Sequence, residues 1–102
     1  VTTDKTGAQT TVTAEEGKYT ITVEGQTVGF ASYIDRGQQR VFDHTEIEPE
    51  FGGRGLATIL VEQALRDARA AGKRIVAACS MVGTVLKSHP EYDDITDPVR
   101  IV

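Results

Sequence analysis

A strand end, a glycine-rich turn and a long amphipathic helix follow one another between Glu46 and Ala71, and no other stretch of the chain limits the fold as sharply. The turn reads Pro49-Glu50-Phe51-Gly52-Gly53-Arg54-Gly55-Leu56-Ala57, with only Arg54 interrupting its glycines. Glycine costs a helix about 1 kcal/mol per interior position relative to alanine, so a cluster at the first turn needs a local reason. The reason we infer is an anion. Unpaired N–H groups and the positive end of the helix dipole together attract a phosphate, and residues without side chains let it approach the backbone.

The helix that follows is the clearest element in the sequence, expected over Arg54 to Ala71. Leu56, Leu60, Ala64 and Ala68 form one row at spacing four, flanked by Ala57, Val61 and Leu65, while Glu62, Arg66, Arg69 and Lys73 line another face. Gly72 stops it, and Lys73 and Arg74 put positive charge at its negative end. Before the turn, alternation predicts strands at Thr11–Thr13, Lys18–Val23, Thr27–Ile34 and Gln39–Ile47, joined by polar turns at Ala14–Gly17, Glu24–Gln26 and Asp35–Gln38. After the helix, Ile75-Val76-Ala77-Ala78-Cys79 is a continuous apolar run of strand length, read as an inner strand. Ser80 is a candidate N-cap for a second helix that ends before Pro90, and Glu91 to Ile95 has room for one helical turn. Thr96 to Val102 is a loose tail or a last extended piece. The expectation is one minimal α/β (α+β) domain over residues 1–102, with 1–9 flexible: a mixed, mostly antiparallel sheet carrying two main helices.

Composition removes several function classes. A net charge of −4 lacks the basic footprint of a general nucleic-acid or membrane-surface binder, and one cysteine, Cys79, forms no internal disulfide. No apolar run reaches 18 residues and Val1 opens a polar segment, so we expect a cytoplasmic protein, a monomer or weak homodimer. His44, His89 and Cys79 have no metal-ligand spacing, and no metal is expected. No Gly-Lys-Ser/Thr follows the turn, which argues against a nucleotide P-loop.

The succession of strand, Pro-Glu-Phe-Gly-Gly-Arg-Gly-Leu-Ala, amphipathic helix and apolar strand resembles the acetyl-coenzyme A signature of the GNAT N-acetyltransferases. The likeness is to their short single-domain branch, from about Lys18 to Ile95, and includes Cys79 after the strand and the His89-Pro90-Glu91-Tyr92 segment. The superfamily signature places Gln or Arg, two residues, Gly, one residue, then Gly or Ala. Gly55 and Ala57 match it, whereas Gly52 stands where Gln or Arg is usual, which removes a side-chain contact and keeps the backbone donors.

The resemblance implies acetyl-coenzyme A as cosubstrate and an unknown amine (protein, peptide or small molecule) as acceptor. Its pyrophosphate would lie on the N–H groups around Gly52, Gly53, Arg54, Gly55, Leu56 and Ala57, with the Thr58 hydroxyl nearby and Lys87 toward the 3′-phosphate. The pantetheine arm would run beside Glu46, Ile47 and Glu48. Many relatives use a helical Tyr to protonate the departing thiolate, but here that segment reads Val85-Leu86-Lys87-Ser88. Cys79 is therefore the candidate catalytic group, either accepting the acetyl group or acting as an acid beside the coenzyme sulfur; the alternative is a small apolar residue in a packed strand. His44 is a candidate base, and Glu46, two residues on, shares its face and can orient it or bind a cationic amine. The alternative function is a non-catalytic acyl-coenzyme A-binding or partner-docking module, favoured by the missing Tyr and by Gly52.

Overall fold

Polar turns between alternating segments fold the first half of the chain into a meander. The computed structural model describes residues 2, 3 and 5–98. Strands β1 (Thr2–Thr3), β2 (Gln9–Glu15), β3 (Lys18–Val23), β4 (Gln26–Arg36) and β5 (Gln39–Ile47) each pair antiparallel with the next. β2 and β4 run further than alternation alone predicts. The β2–β3 ladder carries Ala14 and Glu15 opposite Tyr19 and Lys18, and the β4–β5 ladder carries Asp35 and Arg36 opposite Arg40 and Gln39. The segment 1–9, expected to be frayed, contributes β1, and beyond it the Lys5 N–H donates to the Arg54 carbonyl at 3.1 Å.

A 3-10 turn, Pro49–Phe51, leads through the glycines into α1 (Leu56–Ala70). The helix starts at Leu56 rather than Arg54 because Gly55, at φ 78° and ψ 13°, is left-handed and cannot belong to a right-handed helix. The chain then forms β6 (Arg74–Ala77), α2 (Ser80–Lys87), a 3-10 segment Pro90–Ile95 and β7 (Thr96–Asp97). The apolar run stops pairing at Ala77, two residues before its expected end at Cys79. Cys79 itself, extended at φ −106° and ψ 133°, takes the N-cap position expected for Ser80. The tail supplies β7, and its residues 99–102 lie outside the described residues.

Among the described residues the sheet has seven strands in the order β1-β2-β3-β4-β5-β6-β7, of which the β5–β6 and β6–β7 pairs are parallel. This is the mixed, mostly antiparallel sheet with two main helices that the sequence predicts. Both helices cover one face. Tyr19, Ile21, Ala31, Phe42 and Ile75 from the sheet meet Leu56, Leu60, Ala64, Leu65 and Ala68 of α1 and Val82, Val85 and Leu86 of α2. The spacing-four row read from the sequence is thus the buried stripe of α1. Cross-strand register puts Lys18, Thr20, Phe30, Ser32, His44 and Glu46 on the opposite, open face.

A buried polar cluster fastens the start of β5 to the meander and to α1. Arg40, only 8% exposed, donates from Nη1 to the Tyr19 hydroxyl at 2.6 Å and from Nε to Asp35 at 2.9 Å. Tyr19 in turn donates to Asp67 of α1 at 2.5 Å. Burial and the Asp67 hydrogen bond hold the Tyr19 hydroxyl protonated far above the usual tyrosine range.

Candidate active site

The site is made where β5 and β6 part. Their parallel pairing runs from Gln39–Arg74 to Phe42–Ala77 and ends there, while β5 continues alone on that side to Ile47. At the same point β5 carries an extra residue: Tyr33 faces Phe42 and Ser32 faces His44, leaving Asp43 as a bulge whose carboxylate accepts from the Ser32 hydroxyl at 2.7 Å. The bulge reverses the alternation of everything after it. Phe42 faces the helices, and so do Thr45 and Ile47, while His44 and Glu46 face the open side.

On the helix side, the end of β5, the glycine turn and the first turn of α1 enclose a groove of about 350 Å³. Of the residues predicted from the sequence, Ile47, Gly52, Gly53, Gly55, Leu56, Ala57 and Thr58 line it together. Thr45, Phe51 and Met81 complete its wall. Gly53 and Gly55 sit at φ 76° and 78°, which side-chain-bearing residues rarely adopt. Among the described residues, no backbone carbonyl accepts from the N–H groups of Gly53, Gly55, Leu56, Ala57 or Thr58; the first α1 ladder bond runs from the Ile59 N–H to the Gly55 carbonyl at 3.2 Å. Such a row of donors at a helix start holds a phosphate oxygen without any cationic side chain.

Arg54 is turned away from this groove. Its guanidinium donates to Thr6 Oγ1 at 3.1 Å and lies 5.1 Å from the Phe51 ring centroid. Lys5 also packs on the turn, its methylenes 3.3–3.7 Å from where a Gly55 Cβ would stand. Together with Thr3, Arg54, Gly55, Thr58 and Ile59 it lines a second hollow behind the turn. Lys87, expected toward a 3′-phosphate, is exposed in the last turn of α2 and is not among the groove's lining residues.

Cys79 stands half-buried across the split from β5, its thiol donating weakly to Thr45 Oγ1 at 3.5 Å. Burial pushes its pKa up, but the Thr45 hydroxyl and the N–H groups of Val82, Met81 and Thr45 stabilise the thiolate more, so the net shift is downward. Val82 and Met81 belong to the first turn of α2, which makes this the start of a second helix aimed at a sulfur.

His44 and Glu46 do not join Cys79. They share the open face as expected, with His44 Nε2 at 3.6 Å from Glu46 Oε2, side chains 60% and 65% exposed, and the His44 ring 5.8 Å from that of Phe30. Glu48 donates its backbone N–H to the Val28 carbonyl at 2.8 Å and also lines a hollow on that side. Sequence reasoning missed Thr45, which touches the thiol, because strict alternation from Phe42 assigns it to the wrong face; only the bulge corrects it. His89 is held at the end of α2, with Nε2 2.8 Å from Glu62 and Nδ1 3.2 Å from Glu91.

A family model described as GCN5-related N-acetyl-transferase matches residues 18–95, which contain the glycine turn, both helices and the split. The chain belongs to the GCN5-related N-acetyltransferases. The matched span coincides with the stretch over which the sequence resembles the short GNAT branch. Among solved structures, the GNAT fold recurs in a GCN5-like protein from Staphylococcus aureus at 24% identity and TM-score 0.66, over 88% of this chain and 90% of that one. It also recurs at 19% identity and TM-score 0.52 in AAC(6')-Iy, solved with the bisubstrate analog CoA-S-monomethyl-acetylneamine. That match covers 83% of this chain and 65% of that one. A search of the curated proteins returns no match. The family makes this GNAT domain an acetyltransferase.

Proposed function

We propose that this GNAT domain takes an acetyl group from acetyl-coenzyme A bound in the helix-side groove and passes it to an amine that arrives from the open face. The observation that carries the reading is the groove itself: side-chain-free Gly52, Gly53 and Gly55 and the unpaired donors at the start of α1 lie at one end, and Thr45, the partner of the only thiol, lines it too. These residues fit a pyrophosphate followed by a thioester arm. The free edge of β5 beyond Phe42 offers backbone groups to an extended amide-bearing chain, as an added strand would use them. The cosubstrate supplies an activated acyl carbon with a thiolate leaving group.

Cys79 has a lowered pKa, which suits a nucleophile better than an acid. In this reading its thiolate attacks the thioester carbonyl, a new carbon–sulfur bond forms on Cys79, and the coenzyme leaves as thiolate. The neutral amine nitrogen then attacks the acetyl carbon, Cys79 leaves as thiolate, and the proton lost in that step goes to solvent. His44, on the open face one residue from Thr45, is suited to the earlier step, taking the first proton of an ammonium as it enters. The N–H groups of Met81 and Val82 hold charge at the sulfur throughout.

Calorimetric titration with acetyl-coenzyme A, with 3′-dephospho-coenzyme A in parallel, tests the binding half. Wild type should bind saturably and Gly55→Glu should not, since a side chain at φ 78° strains the turn that aims the N–H groups and meets Lys5 behind it. Absence of both heat and thermal stabilisation at millimolar ligand would sink the proposal. Cys79→Ala should keep binding and lose coenzyme release on addition of an amine.

A further inference from the structure

The open face carries a cavity separate from the groove at the glycine turn. It is a groove of about 370 Å³ lined by Thr20, Val28, Phe30, Glu46, Glu48 and Pro49, with Lys18 on the β3 wall. We infer that this groove is the acceptor subsite and that its occupant is a linear polyamine, an inference that rests on the transferase reading above.

Its lining combines apolar surface with carboxylates, beside Lys18 and the hydroxyl-bearing Thr20 and Thr27. Phe30, Val28 and Pro49 offer apolar surface to methylene groups, and the Phe30 ring face also attracts an ammonium group. Glu46 and Glu48 supply the only carboxylates of the lining. They occupy alternate positions of extended chain, with Cα atoms about 7 Å apart at the rise of a strand, which is comparable to the separation of two ammonium groups joined by four methylenes. Lys18 and Glu46 stand two strands apart, on β3 and β5, so the wall repels a cation on one side and holds it on the other.

The groove also points the right way. Glu46 lies beside His44, and His44 lies at the bulge where β5 leaves β6. A polyamine held along Glu48, Glu46 and Phe30 presents its terminal nitrogen to His44 and to the split, on the opposite side of β5 from the glycine turn. A compact neutral amine would use neither carboxylate and leave the apolar floor uncovered.

The test is titration of the 15N-labelled, acetyl-coenzyme A-saturated Cys79→Ala protein with spermidine, butylamine and a short lysine-rich peptide. Spermidine should shift the amides of Thr20, Phe30, Glu46 and Glu48, bind more tightly than butylamine or the peptide, and lose about fivefold or more in affinity in the Glu46→Gln, Glu48→Gln double variant. Both substitutions are on exposed side chains and leave the fold intact, and Phe30→Leu should weaken spermidine while keeping the packing. Shifts elsewhere, equal affinity in the double variant, or tighter binding of the peptide would overturn the inference while leaving the transferase standing. Failure of acetyl-coenzyme A itself to bind would overturn both.

Discussion

Gly29 is the residue whose replacement reports most directly on how the end of β5 is held. It lies between Ile21 and Ile47 in one cross-strand row, and a Cβ built on it would stand 2.4 Å from Ile47 Cδ1, 2.7 Å from the Glu46 carbonyl oxygen and 3.3 Å from Ile21 Cγ2. Ordinary carbon contacts lie at about 3.5–4.0 Å, so Gly29→Ala requires movement of more than one of these groups. The Ile47 methyl can rotate away, but the Glu46 oxygen is backbone and can move only with the strand. Overpacking costs about 1–3 kcal/mol, and a backbone clash puts this site near the upper end. In a domain of this size about 3 kcal/mol lowers Tm by roughly 12 °C or more. Because Ile47 lines the groove, the variant should also weaken acetyl-coenzyme A binding beyond what its lower stability explains. Gly83 in α2 is the control: a Cβ there meets nothing within 4 Å, and Gly83→Ala should stabilise the helix by about 0.5–1 kcal/mol. Thermal unfolding followed by circular dichroism checks both. A Gly29→Ala protein melting within about 2 °C of wild type would refute the claim that Ile21 and Ile47 close over this position.

The Arg40 cluster gives a stability prediction with a pH signature. Arg40→Met should cost about 2 kcal/mol at neutral pH, since it removes hydrogen bonds to Asp35 and Tyr19 from a buried guanidinium. The hydrogen bond from Arg40 holds the Asp35 carboxyl below its ordinary range, so this contribution is complete above about pH 4 and is lost as pH falls through the depressed value. Urea unfolding at pH 6 and pH 3 should therefore show the gap between wild type and variant shrinking in acid, and a gap that widens would contradict the assignment. At the split, the wild-type Cys79 thiol should be alkylated by iodoacetamide with a midpoint below that of free cysteine, and Thr45→Val should move that midpoint upward. An unchanged pH–rate profile would remove Thr45 from the site.

The sequence by itself determined whatever depends on neighbours along the chain. The spacing-four row of α1, the alternation of β3 and β5, and the requirement for glycine at Gly53 and Gly55 are local properties, and the fold carries each where periodicity and backbone sterics put it. Tertiary structure decided what depends on register and on distant segments. Alternation correctly paired His44 with Glu46, yet it could not reveal that Asp43 bulges out and sends them to the face opposite Cys79, because a bulge is set by how two strands align and not by either sequence. Thr45 and Cys79 are 34 residues apart and meet only because β5 and β6 separate beyond Phe42. The Arg54 guanidinium meets Thr6, and Lys5 lies beside Gly55, because a segment 48 residues earlier packs against the turn, which no local pattern announces. One residue of slip in a strand exchanges its two faces, which is why the local elements were legible and the pairing of their side chains was not.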